Sequence, residues 1–222
     1  MVDCCRRSVI GRGVSAYAIP NLIDPCFSYD RTLFLPHGKF TILYGALGGR
    51  KSQYKGFDDL AAALSLLPPE VKTNSELHIF GEDANSCETA GVITHFMGNI
   101  TSPRRLVSIY HRADVFAFPS REETQGMTKI EAMLCGLPVL VFGRTACAEG
   151  IEHGISGWIA KDGDITQYAE GIQWMFGLWK ENRLDSLRET ISERARRLFS
   201  QPDIVGKMAQ IYAEGVCRFK VG

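Results

Sequence analysis

The chain has 222 residues, long enough for one large domain or one and a half small ones. Lys+Arg and Asp+Glu both number 25, so the formal net charge is zero, which argues against a nucleic-acid binder. No apolar run is long enough to span a bilayer, and the basic pair Arg6 and Arg7 is not followed by the apolar stretch of a signal peptide.

The cysteines are Cys4, Cys5, Cys26, Cys87, Cys135, Cys147 and Cys217, an odd number without C-x-x-C spacing. Cys135 and Cys147 lie in apolar contexts and read as core thiols. A reducing compartment fits. The expected location is the cytoplasm, either free or peripheral at the inner membrane face.

Residues 1–37 do not read as the start of a fold. Val14 to Ile19 is a short strand candidate, and Pro20-Asn-Leu-Ile-Asp24 marks at least a turn. From Lys39 the pattern alternates strand and helix. Phe40 to Tyr44 is an apolar strand, followed by a glycine-containing loop from Gly45 to Tyr54. A helix opens at Lys55-Gly56-Phe57, carries Leu60, Ala63, Leu64 and Leu67 on its apolar side, and stops at Pro68-Pro69. Glu76 to Phe80 and Val92 to Met97 are strands, ended by Gly81 and Gly98. Pro103 to His111 is helical, and the Asp114 to Phe118 strand follows.

Next come a polar loop with Glu123, a helix over Gly126 to Cys135, and a strand over Val139 to Phe142. Met127, Ile130 and Leu134 share one helix face. Gly136 and Pro138 suit the helix end. Asp162 and Asp164 resemble a metal pair, but Asp164 precedes a helical pattern and reads better as its N-cap. The helix from Ile165 carries Trp174, Met175, Phe176 and Trp179, a packing stripe. Arg183 to Phe199 is amphipathic, with Leu184, Leu187, Ile191, Ala195 and Leu198 apolar. Pro202 opens a final helix.

Alternating strands and helices predict an α/β fold: a doubly wound, Rossmann-like parallel sheet with helices on both faces. The expected divisions are an N-terminal segment (1–37), the sheet domain (38–201) and a C-terminal helix and tail (202–222). Ligands of such sheets bind at the carboxyl ends of the strands, so the loops at Gly45, Gly81, Gly98 and Pro119 should share one crevice.

The chemistry concentrates around the Gly126 helix. Its N-terminus offers unpaired N–H groups and a positive dipole end, a seat for phosphate. Glu123 precedes it and Glu131 lies further along it. Carboxylates beside a phosphate seat suit a ligand that is part phosphate and part polyol, such as a nucleotide sugar. Arg50 and Lys55 supply positive charge for a diphosphate. Spacing alone leaves plainer accounts open: a solvated Glu123, a helix-face Glu131, and basic residues that only solubilise their loop.

The stretch Pro119-Ser-Arg-Glu-Glu-Thr-Gln-Gly-Met-Thr-Lys-Ile-Glu-Ala-Met-Leu-Cys-Gly-Leu-Pro-Val resembles the donor-binding signature of family-4 retaining glycosyltransferases. Pro20-Asn-Leu-Ile-Asp24 resembles the segment that leads into their second domain, with Leu22 in place of a usual Gly. Lys55-Gly56 resembles their first-loop pattern. Ala46 stands where much of the family has Arg. Glu149 matches a further loop glutamate, but Arg144, Thr145 and Ala146 replace usual glycines. Covering roughly residues 18–215, the resemblance implies one half of a GT-B fold that binds the donor.

It implies catalytic roles for Glu123, Lys55 and Arg50. It implies donor contacts at Gly45, Ala46, Gly98, Gln125, Gly126, Met127, Thr128 and Glu131, with Glu131 on the ribose hydroxyls. The donor would be a nucleotide diphosphate sugar and the acceptor a sugar or lipid-linked sugar, in polysaccharide or glycoconjugate biosynthesis. No metal and no cofactor are expected. A first domain, or a partner chain in its place, would supply the acceptor side. Two other readings stay open: a non-catalytic donor-binding subunit, and a nucleotide-sugar isomerase on the same fold.

Overall fold

The apolar runs become strands buried on both faces. In a computed structural model, which describes residues 2–8, 15–34, 38–45, 48, 50, 52–144, 146–199 and 204–219, seven strands form one sheet. They are β1 (Phe40–Gly45), β2 (Ser75–Phe80), β3 (Cys87–Thr89), β4 (Val92–Phe96), β5 (Val115–Phe118), β6 (Val139–Phe142) and β7 (Gly157–Ala160). Their order is β3-β4-β2-β1-β5-β6-β7, and every pairing is parallel except β3 with β4. Strands β1, β5 and β6 are buried at every position, as expected of parallel strands covered on both sides.

The helices are α1 (Val2–Arg7), α2 (Phe57–Ser65), α3 (Pro69–Thr73), α4 (Pro103–His111), α5 (Met127–Leu134), α6 (Ile165–Lys180), α7 (Leu184–Phe199) and α8 (Ile204–Phe219). One core lies between the sheet and α2 and α6, through residues such as Leu60, Leu64, Ile172 and Met175. The other lies against α4, α5 and α7, through Tyr110, Ile130, Met133 and Ile191. The doubly wound α/β architecture read from the sequence is therefore present.

Several local expectations change. Residues 15–19 form no strand, while Val14 lies outside the described residues. Tyr17 and Ile19 are exposed, and among the described residues no strand pairs with them. Further along, Phe27 is buried, and Ile23 and Cys26 pack on the α4–α5 core. Helix α2 ends at Ser65, so Leu67 lies beyond it, and Pro69 starts a short helix of its own. Proline suits a first helical position, where its missing N–H costs nothing. On α5, Met127 is half-exposed and the buried face is Lys129, Ile130, Met133 and Leu134. On α7, Leu198 is exposed and Arg188 is buried. Pro202 and Thr145 lie outside the described residues.

Asp164 caps α6, its side chain accepting a hydrogen bond from the Gln167 N–H. Asp162 pairs instead with Arg144. Met175 and Phe176 are buried, and Trp174 and Trp179 pack against the same core. Cys135 and Cys147 are buried and form no disulfide. Among the described residues, no helix is long and apolar enough to cross a membrane.

Candidate functional site

Strand order reverses at β1, with β2 and β4 on one side and β5, β6 and β7 on the other. Open α/β sheets place their ligand crevice at such a switch point, outside the carboxyl ends of the two central strands. The loops that leave β1 and β5 are the ones carrying Lys55 and Glu123.

These loops are tied together. The Arg121 N–H donates to the Tyr54 carbonyl at 2.8 Å. Its guanidinium binds both oxygens of Asp59 on α2 at 2.8 Å. Gly56 sits in the left-handed region, φ 69°, and a Cβ there would lie 2.1 Å from the Pro119 carbonyl oxygen. Only glycine lets α2 begin this close to the β5 loop. The outcome is a salt bridge across the crevice: Lys55 Nζ donates to Glu123 Oε2 at 2.7 Å. The two side chains keep 31% and 15% of their surface exposed, so a ligand can reach the pair.

Beside it, α5 begins at Gly126, φ 72°, with no side-chain cap. A Cβ on Gly126 would press on the Phe118 ring and on Glu123 Cγ. The N–H groups of Met127 and Thr128 belong to that uncapped first turn. Gln125 turns toward the N-terminal segment, its Oε1 accepting from the Asn21 N–H at 2.8 Å. Glu131 lies on the same helix, half-buried, and Oε2 accepts from the Tyr110 hydroxyl at 3.1 Å. Burial raises the Glu131 carboxyl above the ordinary glutamate range, against the opposing effect of that hydrogen bond.

The remaining predicted residues occupy the neighbouring part of the rim. Gly45 ends β1 against the Phe80 ring. Arg50 binds Glu82 through both Nε and Nη2, and its backbone N–H donates to the same carboxylate. Its guanidinium lies 4.6 Å from the Phe96 ring centre. The carbonyl of Gly98 accepts the Gly81 N–H, and Asp83 stands beside Gly98. Ala46 lies outside the described residues. The structure thus gathers Lys55, Glu123, Gly126, Met127, Thr128 and Glu131 about one helix end. It holds Arg50 a step away in its own ion pair.

Sequence reasoning passed over Lys129. This side chain is fully buried, and Nζ donates to the carbonyls of Ala146, Cys147 and Glu149 at 2.8, 3.1 and 2.9 Å. It ties the loop after β6 to the site helix. Burial pulls its ammonium down to a pKa of about 8. The signal was available, because Lys129 falls on the stripe of Ile130, Met133 and Leu134.

The sequence profile of the family described as glycosyl transferases, group 1, matches residues 41–177, more than half of the chain. The chain belongs to this family. A relative from Catenulispora acidiphila, D-inositol 3-phosphate glycosyltransferase 1, is 26% identical over 199 residues, covering 83% of this chain and 46% of its own. Sucrose-phosphate synthase from Thermosynechococcus elongatus superposes with a TM-score of 0.76 at 23% identity, covering 97% of this chain and 56% of the synthase. HepE from Anabaena, solved in complex with UDP-glucose, gives a TM-score of 0.61 at 20% identity, with 79% and 49% covered. This group 1 chain therefore spans about half the length of each of these three proteins.

Proposed function

We propose that this chain is the donor-binding half of a retaining glycosyltransferase that uses a nucleotide diphosphate sugar. The observation that carries the reading is the Lys55–Glu123 pair at the uncapped start of α5, at the switch point of the sheet. Phosphate oxygens would accept from the Met127 and Thr128 N–H groups. Lys55 would leave Glu123 for the diphosphate and stabilise its charge as it departs. Glu123, released, would accept hydroxyl groups of the donor sugar. Glu131, steadied by Tyr110, would accept the ribose hydroxyls.

Such a site needs no metal, because a cation and a helix end already face the diphosphate. An acceptor sugar, free or lipid-linked, and a second domain in the same or another chain complete the proposal. Its setting would be the assembly of a polysaccharide or glycoconjugate. Family membership and the UDP-glucose held by HepE support the donor class.

Calorimetry with a panel of nucleotide diphosphate sugars tests it. One of them binds without added divalent metal, and Glu131→Ala weakens it by about 1–3 kcal/mol. Lys55→Ala weakens the diphosphate ligand far more than the bare nucleoside. Equal losses for both ligands would remove Lys55 from the phosphate, and unchanged affinity in Glu131→Ala would remove Glu131 from the site. The raised Glu131 carboxyl adds a pH signature. Its acceptor form is lost as pH falls, beginning above the ordinary glutamate range, so affinity declines there in the wild type and not in Glu131→Gln.

A further inference from the structure

A second cluster lies on another part of the sheet. Glu76 and His78 alternate along β2 and so project from the same face. His95 stands opposite His78 in the parallel register of β2 and β4. Two imidazoles and a carboxylate are thereby brought together by strand pairing, which fixes their backbones. Glu76 Oε2 lies 3.4 Å from His78 Nε2 and 3.8 Å from His95 Nε2, and one donor atom from each residue falls within 4.8 Å of the others. The two rings meet edge to face at 5.3 Å. All three side chains are partly exposed, so an ion can enter from solvent.

We propose that Glu76, His78 and His95 form a binding site for a divalent transition metal of the zinc class, with water completing the coordination. Zinc holds imidazole nitrogen and carboxylate oxygen at about 2.0–2.2 Å, which puts tetrahedral ligand atoms about 3.3 Å apart. The observed separations need only small side-chain rotations to reach that value. Two imidazoles select zinc and its neighbours over magnesium and calcium, which take oxygen ligands.

The surroundings also favour Nε2 as the ligand atom of His95. Ser86 Oγ lies 3.4 Å from its Nδ1, placed to accept the Nδ1 proton and leave the Nε2 lone pair free. The site is separate from the donor crevice. His78 lies about 10 Å before Gly81 at the usual rise of a strand. A bound ion would pin β4, and with it the short edge strand β3, to β2.

The competing account is that Glu76 only pairs with the two histidines and needs no ion. Thiols could also capture zinc, so the test uses the full chain with Cys4, Cys5, Cys26, Cys87 and Cys217 replaced by Ser, leaving the buried Cys135 and Cys147. Zn2+ titration should show one saturable site. His78→Ala and His95→Ala should each weaken it by about 10-fold or more, and Ser86→Ala by about 10-fold. Co2+ in place of Zn2+ should give visible bands of a low-coordinate nitrogen and oxygen site, absent in both histidine variants. Glu76→Gln, which keeps the side-chain shape, guards against a folding defect: its metal-free melting should match the parent while its zinc affinity falls. No saturable binding in the Ser-substituted chain, or binding that survives both histidine substitutions, overturns the proposal.

Discussion

Two cation–carboxylate pairs stand at opposite ends of the same central strands, and their settings differ in every respect that matters. At the carboxyl end, Lys55 and Glu123 meet at 2.7 Å with both side chains partly exposed. At the amino end, Arg188 and Asp114 lie 3.6 Å apart with side-chain exposures of 0% and 1%. Asp114 accepts the Thr41 N–H and donates its own N–H to the Thr41 carbonyl, locking β5 to β1. Arg188 donates to the Ala113 carbonyl and stacks over Phe34 at 4.2 Å. The sealed pair is withdrawn from solvent, Arg188 also reaches Asp185 at 3.5 Å, and the pair anchors α7 to the sheet. The open pair sits beside unpaired helix N–H groups and can trade its internal partner for a ligand. A charge pair marks a binding site only where solvent and free donors reach it.

The sharpest way to break this contrast is to remove one member of the sealed pair. Arg188→Ala removes the cation from beside the buried Asp114 carboxylate, and losing one partner of a buried pair costs about 3–5 kcal/mol. Urea denaturation should show that loss, while nucleotide affinity of the protein that remains folded stays unchanged. A cost below about 1 kcal/mol would mean that Asp114 is satisfied by its other partners and that the anchor is dispensable.

Much of this arrangement could be read from the residues, and the exceptions have physical reasons. Strands β1, β5 and β6 were legible because burial on both faces leaves a continuous apolar run. The meeting of the Lys55 and Glu123 loops was legible because loops that leave the carboxyl ends of neighbouring parallel strands lie side by side. Strand β3 gave no signal: Cys87–Thr89 is a short, largely exposed edge segment whose pairing depends on β4. Lys129 and Arg188 were hidden because a cation in a helix reads as a solvated face. Only their alignment with Met133 and Leu134, and with Leu184 and Ile191, betrays the burial. The Gln125 contact with Asn21 joins distant parts of the chain, and no local pattern encodes it.

Lys129 lies between the two extremes: buried like Arg188, yet part of the helix that carries the open site. Its ammonium releases a proton near pH 8 in the folded protein, against 10.5 as the ordinary value. Between those limits the unfolded chain holds more protons than the folded one, so the contribution of Lys129 to stability rises with pH across that window. The rise amounts to about 3 kcal/mol at most, since each tenfold change in proton affinity is worth about 1.4 kcal/mol. Urea midpoints across the window should rise in the wild type relative to Lys129→Met. Parallel profiles would show that the buried amine titrates near its ordinary value. A gain confined to the variant would mean that the carbonyls of Ala146, Cys147 and Glu149 do not need the amine.

The smallest expected effect sharpens the contrast most finely, because Arg50 shares the crevice rim with Lys55 but is already occupied. Glu82 takes its Nε, its Nη2 and its backbone N–H, and Phe96 covers the guanidinium. With side chains 33% and 13% exposed, that pair is open enough to solvent for screening to hold its worth to about 1 kcal/mol or less. For Arg50 to reach a diphosphate it would have to abandon this set of bonds, whereas Lys55 gives up one. Arg50→Ala should therefore weaken nucleotide diphosphate binding by under about 1 kcal/mol, less than Lys55→Ala does. The loss should be similar for nucleoside and nucleoside diphosphate, as expected when a loop loosens and no phosphate contact is lost. The measurement is the same calorimetric panel, run on both ligands with both variants. A selective loss of diphosphate affinity in Arg50→Ala, as large as that of Lys55→Ala, would show that Glu82 releases Arg50 when donor arrives. Arg50 would then join Lys55 in the proposed diphosphate site.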